Sequence, residues 1–266
     1  AKTVMAAAAR NLTPVVLELG GKSPCIISRT ADIAVAAKRI AWGKTLNSGQ
    51  TCIAPDYLLI HKDIKESFVK TFTEEVKRLH GEDIEADRHY VRMVNDKAFE
   101  RVTGYLKYGK IVSGGRSDAA TRFIEPTLMD EVPLDSPLMT EEIFGPVFPM
   151  IILDDKGNSF KDKVIEFVTN REKPLAFYYF GKEDEGWEII RRTSSGGGCI
   201  NDVIMHIANE NVPFGGVGNS GMGMYHDKES FEAFSHRRSI IATGTWIDLP
   251  FRYMPYKMFG LVKKIL

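Results

Sequence analysis

Two kinds of apolar pattern alternate along the chain. Short continuous runs rich in β-branched and aromatic residues read as buried strands. Longer stretches with apolar residues at every third or fourth position read as amphipathic helices. The runs Val15–Leu19 and Cys25–Ile27 are bounded by Pro14, Gly20, Gly21 and Pro24, and predict strands. Further strands are predicted at Tyr57–Ile60, Lys110–Ser113, Phe148–Leu153, Leu175–Phe180 and Cys199–Ile200. A helix from about Asp32 to Leu46 places Ile33, Ala36, Ala37, Ile40 and Ala41 on one face. A second, Ile64 to Leu79, does the same with Ile64, Phe68, Phe72, Val76 and Leu79. Helical patterns recur around Ala98–Tyr105, Lys163–Val168 and Trp187–Arg192. Alternation of this kind predicts an α/β fold, an open and largely parallel sheet with helices on both faces.

The opening stretch, Ala1 to Arg10, is an alanine-rich helical pattern with no Ser, Thr, Asp or Pro to cap it. Further sequence upstream is therefore expected. The apolar tail Met258–Leu266 is too short to span a bilayer, and reads as a docking segment.

Composition narrows the function classes. The 266 residues hold 35 Lys and Arg against 35 Asp and Glu, so neither a nucleic-acid backbone nor an anionic membrane is the expected partner. Three cysteines without C-x-x-C spacing suggest neither a disulfide framework nor a zinc site, and a reducing cytoplasm fits them. No metal centre and no transmembrane segment are expected.

Of the three, Cys25 and Cys199 sit inside strand patterns and read as small buried hydrophobes. Cys52 differs, because Asn47-Ser-Gly-Gln-Thr-Cys-Ile-Ala-Pro55 places it on a loop before a strand, where reactive side chains concentrate. It is a candidate nucleophile awaiting a partner. Glu18 stands in an otherwise apolar stretch before Gly20-Gly21. It is either an ion-pair partner for a neighbour such as Lys22 or a functional carboxylate. The run Gly216-Val-Gly-Asn-Ser-Gly221 satisfies G-x-G-x-x-G, yet no strand leads into it and no acidic residue follows about 20 positions on, so it reads as a structural turn. His206 and His226 are lone histidines, read as surface or core residues.

Leu17-Glu-Leu-Gly-Gly-Lys-Ser-Pro24 followed by Gly49-Gln-Thr-Cys52 resembles the paired active-site signatures of the aldehyde dehydrogenases, in residues and in Glu-to-Cys separation. Glu141-Glu-Ile-Phe-Gly-Pro146 is similar to the family's cofactor-ribose motif. Pro213–Gly223 and Ser230–Arg238 resemble class 3 members in particular.

The resemblance implies that Cys52 attacks the aldehyde, that Glu18 activates water against the resulting thioester, and that Glu142 and Phe144 contact the nicotinamide end of NAD or NADP. It implies residues 1–19 as a remnant of the nucleotide-binding domain, 20–210 as the catalytic domain, and 211–266 as a return segment, bridging strand and C-terminal arm. In that scheme Ser239–Thr243 is the bridging strand, with aromatics around Phe251 and Tyr253 in the arm, and the assembly is a homodimer. The family's oxyanion-holding asparagine and most of its nucleotide-binding domain have no counterpart in this sequence, so weak or absent activity is expected of the chain alone. The alternatives are an inactive fragment or assembly module, and a cysteine-dependent esterase.

Overall fold

The computed structural model describes residues 1–248, 250–255 and 259–264. They divide into two compact units, Ala1–Ala233 and Phe234–Leu266.

The first unit opens with helix α1 (Lys2–Ala9), which has no side-chain cap and buries none of its residues. Strand β1 follows (Leu17–Glu18), then β2 (Pro24–Ile27), α2 (Ile33–Thr45), β3 (Tyr57–His61), α3 (Lys65–His80) and α4 (Asp96–Thr103). Next come β4 (Lys110–Ser113), β5 (Ser117–Asp118), β6 (Phe123–Ile124), β7 (Thr127–Asp130), α5 (Pro137–Thr140) and β8 (Val147–Leu153). The unit ends with α6 (Phe160–Thr169), β9 (Ala176–Phe180), α7 (Glu183–Arg192), β10 (Gly197–Ile200), β11 (Gly221–Met222) and α8 (Asp227–Ala233).

Among the described residues the main sheet has seven strands in the order β10-β9-β2-β3-β8-β7-β4. All neighbours are parallel except β4, which runs antiparallel to β7 at one edge. The central strands are buried along their whole length, which is why they read as unbroken apolar runs.

Two apolar layers flank the sheet. On one face Ala36, Ala37, Ile40 and Ala41 of α2 and Phe68, Phe72 and Val76 of α3 pack against Cys25, Leu58 and Tyr178. On the other, Phe99 and Val102 of α4, Val164 and Val168 of α6 and Ile189 of α7 pack against Ile26, Leu59 and Tyr179. Helix α2 starts where its sequence predicts, because the Asp32 carboxylate accepts the Val35 N–H at 3.1 Å.

One expectation is corrected, and one strand goes unread in the sequence. The strand expected over Val15–Leu19 is only Leu17–Glu18. It pairs antiparallel with β11 in a separate two-stranded ribbon, and Glu18 is exposed. Strand β7 carries no strong signal of its own, although all its residues are buried; the parallel ladder to β8 supplies its order. Within the single chain Ser239–Thr243 has no strand partner among the described residues. In the second unit, Phe259–Val262 makes one helical turn and the Tyr253 hydroxyl donates to Asp248 at 3.0 Å. Met258, Ile265 and Leu266 of the expected docking tail lie outside the described residues. Among the described residues no helix is long and apolar enough to cross a membrane, and no group of three or more His, Cys, Asp or Glu side chains is placed to hold a metal ion.

Candidate active site

Chain reversal between α2 and β3 creates the site. After α2, Asn47, Ser48 and Gly49 adopt φ of 51°, 53° and 71°, three consecutive left-handed residues. For the two non-glycine positions this costs about 1–2 kcal/mol each, so neighbouring contacts must hold them. Asn47 Nδ2 donates to Gln50 O at 2.9 Å, and Gln50 Nε2 donates to Asn47 O and Arg92 O, both at 3.1 Å. Gln50 Oε1 accepts the Val94 N–H at 2.9 Å, and the Ser48 hydroxyl donates to Val91 O.

Gly49 is required here on two grounds. Its φ is left-handed, and a Cβ there would collide with the backbone carbonyl of Gly145. The cysteine loop therefore packs directly on the segment Glu141–Pro146. Gly49→Ala is expected to destabilise the chain by about 1–3 kcal/mol and to disturb both segments together. A denaturation midpoint equal to that of the parent would contradict this account.

Cys52 lies in the turn that follows, half-buried, with Ala54 N–H donating to Thr51 O at 2.9 Å. The backbone N–H groups of Cys52 and Ile53 favour the thiolate. Stronger influences oppose them. Burial first, then the carboxylates of Glu18 and Glu142, push the thiol up to about 11. Those two couplings place both glutamates within electrostatic reach of Cys52.

Glu142 is half-buried, and burial lifts its carboxyl to about 7 against the opposing Gly21 N–H that it accepts. A Cβ on Gly20 would strike its carboxylate, so Gly20 is what allows the two segments to meet. Arg101 fixes the adjacent backbone by donating to Glu142 O at 3.1 Å and Ile143 O at 2.8 Å. It also donates to the Tyr105 hydroxyl, which donates to Glu141 at 2.9 Å. Phe144 is held at φ 46° and is 38% exposed. A cleft of about 840 Å³ is lined by Gly20, Gly21, Lys22, Glu142, Pro174 and Asn219 among others.

The choice left open for Glu18 is decided against the ion pair. Lys22 pairs with Asp56, and also donates to Leu138 O and Glu141 O, both at 2.9 Å. Asp56 in turn accepts the Ile143 N–H at 2.9 Å. Among the described residues the Glu18 side chain has neither hydrogen bond nor ion pair; surrounding protein raises its carboxyl above the ordinary value by desolvation. The ribbon partner explains its placement: Gly221, at φ 152°, lies so close that a Cβ would strike Leu17 O. The G-x-G-x-x-G run is thus a structural turn that supports the strand carrying Glu18.

Against known proteins, residues 1–240 match the model of the aldehyde dehydrogenase family. The chain belongs to that family. The Aldehyde dehydrogenase, dimeric NADP-preferring, of Rattus norvegicus is 50% identical over 241 residues, covering 90% of this chain and 52% of the relative. Aldehyde dehydrogenase family 3 member A2 of Mus musculus is 49% identical over 244 residues, 91% of this chain and 49% of the relative. Among solved structures, Staphylococcus aureus AldH in its substrate-bound state superposes with a TM-score of 0.94 at 44% identity. That match covers 99% of this chain and 57% of the other. The chain spans about half the length of the curated relatives it matches. The class 3 resemblance agrees with relatives named as family 3, and the fold class with the superposition.

Within this aldehyde dehydrogenase chain the structure brings Cys52, Glu18 and Glu142 into one electrostatic neighbourhood, with Phe144 on the segment against which the cysteine loop packs. Apart from Lys22, offered by the sequence as a partner for Glu18, the other contributors do not stand out in the sequence. Asp56 and Lys22 lie beside the motifs, so proximity was a usable signal. Arg101, Tyr105 and the 91–94 segment are distant in sequence and gave none. Tyr225 also belongs here, since burial raises its hydroxyl and both Glu18 and Cys52 add to the rise. His206 is neutral, lowered to about 4 by burial, with Nδ1 3.6 Å from Cys199 Sγ. His226 stacks on Phe214.

Proposed function

We propose that this chain carries the nucleophile and the general base of an enzyme that oxidises aldehydes to carboxylic acids with NAD or NADP. One feature supports it above the rest: two backbone N–H groups favour the Cys52 thiolate, and two carboxylates of raised pKa, Glu18 and Glu142, act on the same sulfur. That set suits acyl chemistry through sulfur, because attack needs a proton acceptor and the product oxyanion needs donors.

The Cys52 sulfur forms a bond to the aldehyde carbon, its proton passes to a base, and the tetrahedral thiohemiacetal oxygen is held by N–H donors of the turn. NAD or NADP, when bound, supplies the hydride acceptor that turns the thiohemiacetal into a thioester. Glu142 would hold its ribose and Phe144 its nicotinamide end. These residues fit such a group, because Glu142 lines the cleft with one backbone donor satisfied and acceptor capacity left over. Glu18 then removes a proton from water as the water attacks the thioester, and the Cys52 thiol is released.

The same reading assigns residues 1–19 to a nucleotide-binding portion, 20–210 to the catalytic domain and 211–266 to the return segment, bridging strand and arm. Three free cysteines suit a reducing cytoplasm. A homodimer is supported by Ile240 and Ile241, 73% and 88% exposed in a stretch without a partner strand among the described residues. Sedimentation equilibrium should give a dimer for the chain and a monomer when residues 234–266 are removed. A monomer in both would remove this part of the proposal.

The central test is aldehyde-dependent reduction of NAD or NADP, with one long aliphatic and one aromatic aldehyde. It is measured for the chain alone and for the chain joined to the remaining half of a relative. Turnover in the joined protein is the expected result. Absence of turnover in both, with Cys52 inert to alkylation, would defeat the reading.

A further inference from the structure

Among the described residues Lys44 is the most deeply buried lysine or arginine, and the chemistry above leaves it unused. It sits in the last turn of α2, 1% exposed, among the largest fully buried side chains. Burying an ammonium is unfavourable unless its charge is balanced and its donors are satisfied. Here the compensation is thin. Nζ donates to Pro55 O at 2.9 Å and lies 4.9 Å from the centre of the Phe148 ring; that hydrogen bond is its one polar contact among the described residues. No carboxylate touches it. A methionine or leucine would fill the space at lower cost, so the amine calls for an explanation beyond packing.

Its two ends grip the two sides of the nucleophile's loop. The backbone carbonyl of Lys44 lies where a Cβ on Gly49 would press against it, at 3.2 Å. The side chain reaches under the loop to Pro55, three residues beyond Cys52. Between them the Tyr178 hydroxyl donates to Ile53 O at 2.6 Å, and Tyr178 is itself buried. Two carbonyls that follow Cys52 are thus pinned into the protein from below. Both anchors hold the segment 53–55 that closes the turn, and so hold in place the loop whose Cys52 and Ile53 N–H groups favour the thiolate.

We infer that Lys44 is a positioning residue for Cys52: by holding the Pro55 carbonyl it anchors the far side of the nucleophile's loop and so sets the surroundings and the reactivity of the thiol. This rests on the reading of Cys52 as the nucleophile. The electrostatic surroundings make the device sensitive to pH as well. The charged groups acting on Lys44 are Asp56 and Glu142, which favour its charged form, and Lys22, which opposes it; burial outweighs them all and brings the amine down to about 7. The ammonium is therefore lost as pH rises through neutrality, and the attraction it exerts on Asp56 and Glu142 is lost with it.

The test is the rate of Cys52 alkylation by iodoacetamide from pH 6 to 10, read by peptide mass spectrometry, with Cys25 and Cys199 as internal references. Lys44→Met keeps the volume and removes the donor. The expected result is a Cys52 rate about tenfold lower at pH 8, which corresponds to about one unit of upward shift in the thiol, with a cooperative melt and unchanged Cys25 and Cys199. An unchanged Cys52 rate and profile in a folded Lys44→Met protein overturns the inference. Should that variant not fold, the parent decides the matter through lysine ¹⁵Nζ titration by NMR. A lysine nitrogen titrating near neutrality, together with an inflection in the Cys52 rate at the same pH, supports the role. Titration of every lysine in the ordinary range overturns it. A parent in which Cys52 reacts no faster than Cys25 is a separate failure, that of the nucleophile reading itself, and it removes this inference too.

Discussion

Cys52→Ser is expected to abolish aldehyde-dependent reduction of NAD or NADP, by about three to six orders of magnitude in the joined protein. A hydroxyl at this position stays protonated at any working pH, whereas a thiol can be ionised during attack. The sulfur here does not rest as a thiolate: burial and the Glu18 and Glu142 carboxylates push it to about 11, against the pull of two N–H groups. The attack rate of the parent should therefore rise about tenfold per pH unit from neutrality towards that value, until another step limits it. Stopped-flow measurement of the first turnover against pH checks this. A Cys52→Ser protein that retains a tenth of parental turnover would exclude the sulfur as the nucleophile. If aldehyde oxidation is absent in the parent while ester cleavage persists and needs Cys52, the cysteine-dependent esterase becomes the better description.

Glu18→Gln should leave the first turnover nearly intact and slow the second half-reaction by about a hundred- to ten-thousandfold, the usual worth of a general base. The signature is a burst of reduced cofactor equal to the enzyme present, followed by a slow steady rate, with an acyl group retained on Cys52 in the intact mass. The sign of the pH effect follows from the raised carboxyl of Glu18, caused by desolvation. A base must be ionised to act, so deacylation in the parent is lost as pH falls through this raised value and is present above it. Glu18→Gln should remove that dependence. A steady rate equal to the parent's, without a burst, would transfer the role elsewhere. Glu142 is then the first alternative, since its carboxyl, lifted by burial to about 7, also acts on Cys52.

The two glutamates illustrate why neighbours in sequence were an incomplete guide. Lys22 is the cation closest in sequence to Glu18, and the ion pair between them was the simplest alternative to function. The structure gives Lys22 to Asp56 instead, 34 positions away, together with carbonyls of residues 138 and 141. That one side chain ties together the strand β2 entry, the β3 entry and the Glu142 segment. Only the parallel pairing of β2 with β3, with Pro24 opposite Tyr57, brings these ends side by side.

What the sequence determined by itself was the local and periodic part: the strands β2, β3, β8 and β9, the apolar faces of α2 and α3, the start of α2 near Asp32 and the loop character of Cys52. Those follow from residue type and spacing, because burial on one face imposes a period and caps act within one turn. The motifs carrying Glu18, Cys52, Glu142 and Phe144 were legible too, through resemblance and not through periodicity. Tertiary structure alone decided the rest. Strand β7 and the ribbon of β1 with β11 exist because of ladders to distant partners. Glu18 is exposed on that ribbon, and Arg101 and the 91–94 segment hold the site from far along the chain. Lys44 continues the buried face of α2, and only the fold supplies the Pro55 carbonyl that its amine meets there. Each of these depends on which distant segments the sheet order sets side by side, and a hydrogen bond across the fold leaves no period in the sequence to read.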